Sequence, residues 1–474
     1  MLFSSPVFLV YFLPVVLVVA LLLRRTSWQN TFLLAASLFF YAWGELGYTL
    51  ILLASIAFNY AFGLWVDRVR GLPSERLVLC AAIAGNLLVL AAFKYANFAV
   101  DNINALLVPL GLSPIELDPV HLPIGISFFT FQAMTYVVDV YRGNAPAQQS
   151  IFRVGLYVAL FPQLIAGPIV RYRSVAQQLI ERHASVDDIA IGIRRFVTGL
   201  GKKVLIADPL SVVADQIFAL PASSLDPAVA WLGVTLFGLQ VYFDFSGYSD
   251  MAIGLGRMFG FHFPENFNAP YTSRSLQEFW RRWHISLSSW FRDYVYIPLS
   301  ARSRSAGWGY FSLFVVFFLC GLWHGANWNF VMWGLVHGGA IALERTSFGT
   351  WLASAPYAVA RVYTLFVVWV AFVFFRAGDL GHSFDYLASM FGASAPDSAL
   401  APLSMFLGLD VLVWLGVAIV FSGGWMPAAR SRVQQKIGNT GYSVVRIATL
   451  VVLFVASVST LAAGTNSPFV YFRF

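Results

Sequence analysis

The chain has 474 residues, of which 59% are hydrophobic and only 11% are charged. Soluble domains carry about 25% charged residues, so this composition excludes an ordinary water-soluble enzyme and indicates a chain whose apolar surface lies in lipid. The net charge is +7, but no dense basic tract with interleaved aromatic residues is present, so we expect no nucleic-acid partner.

Apolar segments long enough to span a membrane recur along the whole chain. A span needs about 20 mostly apolar residues, and the sequence predicts roughly 11–12 transmembrane helices. The candidate spans are residues 5–23, 30–43, 47–66, 77–93, 121–140, 203–220, 228–255, 309–322, 325–343, 358–375, 404–421 and 444–463. We therefore predict an all-α, polytopic membrane protein. No repeat or long linker divides residues 1–474, so we expect a single domain.

The charged residues between the spans predict the topology. Lys and Arg concentrate on the cytoplasmic side, and the basic loops alternate with acidic ones. Arg24 and Arg25 follow the first span, whereas Asp101 lies in the loop of residues 94–120. The first span has no basic stretch before it, so we interpret it as a retained helix and expect both termini outside.

Two segments fit poorly as complete spans. Residues 151–170 hold Pro162 and Pro168 around Gly167, and basic residues flank both ends. Irregular backbone at membrane depth needs a covering of protein or a water-filled cavity, so this segment is predicted to enter and leave on one side. Residues 274–299 behave similarly.

The second of these segments reads as one amphipathic helix over residues 276–299. Trp280 and His284 fall on its aromatic face, while Arg281 and Arg282 fall on its charged face. Such a helix can be an interfacial anchor near phospholipid headgroups. It can also turn His284 to the interior to position a substrate, and the helical pattern leaves both readings open.

His324 is the strongest candidate for chemistry because it lies in an apolar, aromatic segment, residues 318–338. An imidazole in hydrocarbon costs free energy unless it has partners or a cavity, which makes it a functional hypothesis by default. A structural hydrogen bond between helices is the alternative. Gly321 and Gly325 remove bulk beside the ring, and Asn327 is placed to orient it or to stabilise an oxyanion.

Burial favours the neutral form of the His324 ring, which can then act as a general base. A base beside a hydroxyl group promotes its attack on an activated acyl group, worth about 10² to 10⁴ in rate. Cys320, four residues earlier on the same helical face, leaves a Cys/His acyl-enzyme as an alternative.

Neither a metal site nor a disulfide scaffold is expected. On one continuous helix His337 would point about 220° away from His324, so the two histidines would not bind one metal ion. Cys320 and Cys80 both lie in apolar surroundings and are expected to be buried, which argues against a disulfide scaffold.

Two carboxylates occur in the predicted span of residues 228–255, at Asp244 and Asp250. Intramembrane carboxylates face a bundle interior, where they form polar networks between helices or couple ions to transport. A transporter is therefore the alternative class of function.

The histidine-bearing stretches resemble the membrane-bound O-acyltransferase family. The specific matches are Trp-His-Ile-Ser-Leu at residues 283–287 and Leu-Trp-His-Gly at residues 322–325. The wider resemblance covers nearly the whole chain and is carried by residues 127–142, 160–171, 242–254, 267–299 and 321–338. Within the family, the chain resembles the bacterial branch that includes the membrane subunit of alginate O-acetylation.

This resemblance implies a fold and a reaction. It implies a ring of helices around a central funnel, with re-entrant helices, in the bacterial inner membrane. His324 matches the catalytic position and His284 the supporting one, and Arg281, Arg282 and Asn327 are candidates for holding the acyl donor. The donor would be acetyl-CoA or an acyl carrier protein thioester, with no tightly bound cofactor.

The resemblance also implies an acceptor and a partner. The acceptor would be an exported polysaccharide such as alginate, with cellulose, peptidoglycan or a lipid as alternatives. Related systems use a separate periplasmic or membrane-anchored esterase-like protein to complete the transfer. The aromatic C-terminus, residues 466–474, is expected outside and is hypothesised to fold back into the outer mouth.

Overall fold

The computed structural model describes residues 1–24, 26, 28–303, 305–393, 401–464 and 469. These residues form 22 α-helices, and the only strand-like pairing among them is an isolated bridge between Leu225 and Ala401. The prediction of an all-α fold is confirmed. The helices are α1 Leu13–Leu22, α2 Trp28–Ala42, α3 Thr49–Arg68, α4 Glu75–Lys94, α5 Ala96–Leu107, α6 Ile126–Tyr141, α7 Ile151–Ala159, α8 Phe161–Leu164, α9 Tyr172–Val175, α10 Val186–Gly201, α11 Asp208–Phe218, α12 Pro227–Met258, α13 Leu276–Arg282, α14 Ile285–Phe291, α15 Ile297–Ser300, α16 Ala306–His324, α17 Trp328–Leu343, α18 Ser347–Ser354, α19 Tyr357–Arg376, α20 Leu380–Met390, α21 Leu409–Ser422 and α22 Met426–Ala462.

Every predicted span falls on a helix of this series. Six helices within the described residues are long and apolar enough to cross a bilayer, which makes the chain a multi-pass membrane protein. They cover residues Thr49–Arg68, Glu75–Lys94, Pro227–Met258, Ala306–His324, Tyr357–Arg376 and Ala428–Ala462. The loop expected at residues 94–120 contains a further helix, α5, none of whose residues is buried.

The contacts among the described residues divide the chain into two compact units. The first consists of residues 1–196 and 249–264, and the second of residues 197–248 and 265–474. Two compact units can still belong to one folding domain, so a single domain over residues 1–474 stays a prediction.

In the first unit, the segment of residues 151–170 has the irregular backbone that its prolines predict. Helix α7 ends at Ala159, Leu160 leaves the helical region with ψ 115°, and α8 begins at the next residue. The Nε2 of Gln163 donates to the carbonyl of Tyr157 at 2.6 Å, which ties the short helix back onto the preceding one. That this segment enters and leaves on one side of the membrane stays a prediction.

The two cysteines differ in exposure. Cys320 is buried as expected, but Cys80 is exposed on α4, so the expectation that both are buried is wrong for Cys80. Cys80 lies on one of the six apolar helices, where lipid can cover a side chain that the protein does not.

Candidate active site

All the geometry that follows lies in the second unit unless stated otherwise. His324 is the last residue of α16, and the chain turns through Gly325 into α17. His324 and His337 therefore do not share one continuous helix, as the predicted spans of residues 309–322 and 325–343 indicate, and the 220° argument, which assumed a single helix, does not apply. The physical reason is local: Gly325 has an extended backbone, and the side chain of Asn327 caps α17 by accepting from the N–H of Asn329 at 2.9 Å.

Small residues let α16 and α17 pack with their backbones in contact. A β-carbon at Gly321 would collide with the carbonyl oxygen of Phe330, and one at Gly334 with the carbonyl oxygen of Phe317. A side chain at Gly325 would enter the ring of Phe330. The space that the glycines leave is thus taken by the neighbouring helix, which explains them by packing rather than by a ligand.

Aromatic rings surround His324, which is 5% exposed. Its ring lies 4.6 Å from Trp333 and 5.3 Å from Phe375, both edge-on, and 5.0 Å from Trp323. Trp333 also contacts His337 at 4.9 Å, so its indole lies against both imidazoles. This environment is apolar and closely packed.

His284 lies at a break between two short helices. Helix α13 ends at Arg282, Trp283 is extended, and His284 has left-handed backbone angles of φ 42° and ψ 53° before α14 begins. The prediction of one continuous amphipathic helix over residues 276–299 is therefore wrong. Periodicity could not reveal the break, because residues on both sides of it keep helical spacing.

The start of α13 is fixed by two capping groups. The Ser275 hydroxyl accepts from the N–H of Glu278 at 3.0 Å, which is the usual N-cap bond. The carboxylate of Glu344, just after α17, accepts from the N–H groups of Leu276 at 2.6 Å and Gln277 at 3.1 Å. These bonds join α13 to the hairpin that carries His324.

A loop fixes the other end of α13. The N–H of Asn268 donates to the carbonyl of Arg282 at 2.9 Å, and the N–H of Ile285 donates to the carbonyl of Asn266 at 2.9 Å. The two bonds bracket His284 on both sides. The break is therefore held by backbone pairing with residues well upstream, a contact that local sequence patterns do not show.

His284 is fully buried, and burial lowers its pKa to about 3. Its ring lies edge-on to Phe245 at 4.6 Å and 6.1 Å from Trp323. Because Trp323 also contacts His324, this single indole lies against both predicted site histidines. The structure thus brings His284 and His324 together around Trp323, although they come from different helical segments.

The three candidates for donor binding are placed differently. Arg281 is exposed at the end of α13. Arg282 pairs with Glu278 at 2.8 Å and donates to the carbonyl of Asn268 at 3.3 Å, so it supports the loop. Asn327 caps α17 and donates to the carbonyl of Gly378 at 3.4 Å. Of the three, Arg281 offers its charge to solvent.

The two carboxylates of α12 both form ion pairs. Asp244 lies 2.9 Å from Lys203, which also lies 2.7 Å from Asp208, and all three side chains are buried. In the first unit, Asp250 receives two hydrogen bonds from Arg195, at 2.9 and 3.0 Å. These pairs favour the structural network over ion coupling, since each carboxylate is held by a cation on a neighbouring helix.

Several residues of this site were not singled out by the sequence. Trp323 stands next to His324 and was visible only as one aromatic residue among many. Asn266 was missed because it lies 18 positions before His284. The only signal for Asn266 in the sequence was a polar residue between two apolar stretches.

The hypothesis that the C-terminus, residues 466–474, folds back into the outer mouth concerns residues outside the described ones, except Phe469. Phe469 is buried and its ring stacks on Tyr248 at 4.7 Å.

Comparison with known proteins relates the whole chain to membrane acyltransferases. The sequence profile of MBOAT, the membrane-bound O-acyltransferase family, matches residues 127–377, which include both histidines. A "Probable alginate O-acetylase" of Pseudomonas putida is 41% identical over 100% of both chains. The "Peptidoglycan O-acetyltransferase" of Helicobacter pylori is 37% identical over 83% of this chain and 80% of its own length. A "Teichoic acid D-alanyltransferase" of Bacillus subtilis is 32% identical over 49% of this chain and 64% of its own length.

Proposed function

Because the chain belongs to the membrane-bound O-acyltransferase family, we propose that this acyltransferase passes an acetyl group from a cytoplasmic thioester across the bacterial inner membrane for the O-acetylation of an exported polysaccharide such as alginate. The observation that carries the proposal is the pair of buried histidines, His284 and His324, placed around Trp323. Full-length similarity to a protein described as an alginate O-acetylase supports the choice of acceptor.

His324 is the general base of the proposed reaction. It takes the proton of the attacking hydroxyl while the oxygen bonds to the thioester carbonyl carbon. When the tetrahedral intermediate collapses, the C–S bond breaks and the proton passes from the imidazolium to the leaving thiolate. The products are an ester and a free thiol, so His324 ends the cycle neutral. The rings around His324 keep water away from this exchange.

The donor is acetyl-CoA or an acyl carrier thioester. Both are anionic, and Arg281 is the exposed cation nearest to the His284 break along the chain, so it is the proposed contact for donor phosphates. An esterase-like periplasmic or membrane-anchored partner completes transfer to the polymer. Other relatives are a peptidoglycan O-acetyltransferase and a teichoic acid D-alanyltransferase. Another polymer of the cell envelope is therefore the second candidate acceptor.

Acetyl incorporation in cells tests this proposal. Cells carrying wild type or His324→Ala are fed labelled acetate, and the label is counted only as acetate that mild base releases from acetyl esters in the polysaccharide, peptidoglycan and lipid fractions. We expect label in the polysaccharide with wild type and about 10² to 10⁴-fold less with His324→Ala. His183→Ala is the matched control, since the His183 side chain is 80% exposed. Label confined to peptidoglycan or lipid would reassign the acceptor, and normal labelling by an inserted His324→Ala variant would remove the proposed base.

A further inference from the structure

The side chain of Asn266 stands at the centre of a buried hydrogen-bond cluster. Asn266 is 1% exposed. Its Oδ1 lies 3.1 Å from the backbone nitrogen of Ser286, 2.8 Å from the Ser286 hydroxyl and 3.2 Å from the Nδ1 of His284. All three neighbours converge on one atom of the amide group.

The identity of that atom follows from its neighbours. The oxygen and nitrogen of an Asn side chain look alike in shape, so their assignment depends on the hydrogen-bond network. A backbone N–H can only donate, so the atom that faces the Ser286 nitrogen is the oxygen. An amide oxygen can only accept, and the Nδ1 of His284 must therefore carry the hydrogen of its bond to Asn266.

The state of the other ring nitrogen follows in turn. The ring of His284 is fully buried and its pKa is lowered to about 3, so near neutral pH it holds a single proton. With that proton on Nδ1, the Nε2 of His284 carries a lone pair. This nitrogen is a hydrogen-bond acceptor and not a donor.

Asn266 also holds the backbone on which the ring is mounted. His284 has the left-handed backbone conformation, which is uncommon for residues other than glycine and persists only where the surroundings enforce it. The carbonyl of Asn266 accepts from the N–H of Ile285, directly after His284. Main chain and side chain of one residue thus fix both the backbone and the ring of His284.

We propose that Asn266 is a positioning residue that sets the tautomer of His284, so that Nε2 presents a lone pair to the reacting groups. The inference rests on the proposed acyl transfer, in which it makes His284 a hydrogen-bond acceptor. Nε2 accepts a hydrogen bond from the acceptor hydroxyl, or from the thiol once the C–S bond has broken. It does not donate to the thioester carbonyl, so stabilisation of the oxyanion falls to other groups.

The pH profile of an Asn266→Asp variant tests this assignment. A carboxylate can accept the same three hydrogen bonds, but its charge stabilises the imidazolium and puts a proton on Nε2 at low pH. We expect Asn266→Asp to keep substantial activity at pH 8 and to lose about tenfold or more relative to wild type at pH 5.5. Ser286→Ala is the matched control, because it removes one donor to Oδ1 and keeps the bond to His284. It should follow the wild-type profile.

A spectroscopic measurement covers the case in which Asn266→Asp does not fold. Nitrogen-15 NMR of histidine-labelled wild-type protein, with the His284 signal identified by its loss in His284→Asn, reports which ring nitrogen is protonated. We expect protonated Nδ1 and bare Nε2. A protonated Nε2, or a pH profile of Asn266→Asp parallel to that of wild type, would overturn the assignment. Failure of the proposed function would show separately, as absence of acetyl transfer by wild type.

Discussion

The two site histidines lie in different surroundings. His284 is attached to its neighbours by hydrogen bonds through Asn266, within a strained turn. His324 contacts the rings of Trp323, Trp333 and Phe375 at the end of a helix. A ring held in one orientation suits a positioning role, and a ring in an apolar cluster suits proton transfer, which agrees with the division of labour proposed for them.

Replacement of His284 by Asn tests the role of the imidazole ring without disturbing the left-handed backbone conformation at this position. Asn adopts the left-handed conformation more readily than other non-glycine residues, so His284→Asn should insert and fold at close to the wild-type level. It lacks the imidazole, so we expect acetyl transfer to fall by about tenfold or more. Transfer rate divided by the amount of protein in the membrane fraction is the measurement. A variant that is missing from the membrane at matched expression would show instead that His284 serves folding.

At the scale of secondary-structure elements, the α16–α17 hairpin depends on close backbone contact. Gly334→Ala would drive a methyl group into the carbonyl of Phe317, and overpacking of this kind costs about 1–3 kcal/mol. Gly339→Ala in the same helix meets nothing within 4 Å, so it should leave stability unchanged or raise it by up to about 1 kcal/mol. Thermal unfolding of the detergent-solubilised variants compares them. Equal melting temperatures for Gly334→Ala and Gly339→Ala would contradict the close backbone contact between α16 and α17.

The long apolar helices were predictable from the sequence because an apolar segment of sufficient length is enough to indicate a helix. The twelve apolar segments all fall on helices, and the prolines of residues 151–170 predicted irregular backbone where the chain breaks at Leu160. The break between α16 and α17 was predicted, since separate spans were expected at residues 309–322 and 325–343. The break at His284 was not predictable, because the turn there needs a residue with positive φ, which glycine would signal but histidine does not.

The composition of the site was likewise only partly predictable. His324 and His284 stood out because polar rings are rare in apolar segments. Asn266 did not, because its importance comes from three hydrogen bonds to residues 18 and 20 positions away. The carboxylates Asp244 and Asp250 were visible, but only the structure shows that Lys203 and Arg195 hold them.

At the scale of the whole molecule, the distribution of charge predicts which loops face the cytoplasm. In a Cys80→Ala background, Asp101→Cys and Arg432→Cys place single reactive thiols on α5 and α22, both at exposed positions. Cys320 is buried and should stay unlabelled. An impermeant maleimide should label Asp101→Cys in intact cells, but Arg432→Cys only after permeabilisation. The opposite pattern would reverse the topology and with it the side on which the donor binds.

The most direct test of the central claim uses purified protein in proteoliposomes. Labelled acetyl-CoA, or an acetylated carrier protein, is supplied on the side of Arg432, and a hydroxyl acceptor with the purified partner on the other side. We predict acetyl transfer to the acceptor with wild type and with His183→Ala, and a loss of about 10² to 10⁴-fold with His324→Ala. Transfer by His324→Ala at the wild-type rate, in vesicles with the same amount of inserted protein, would contradict the account.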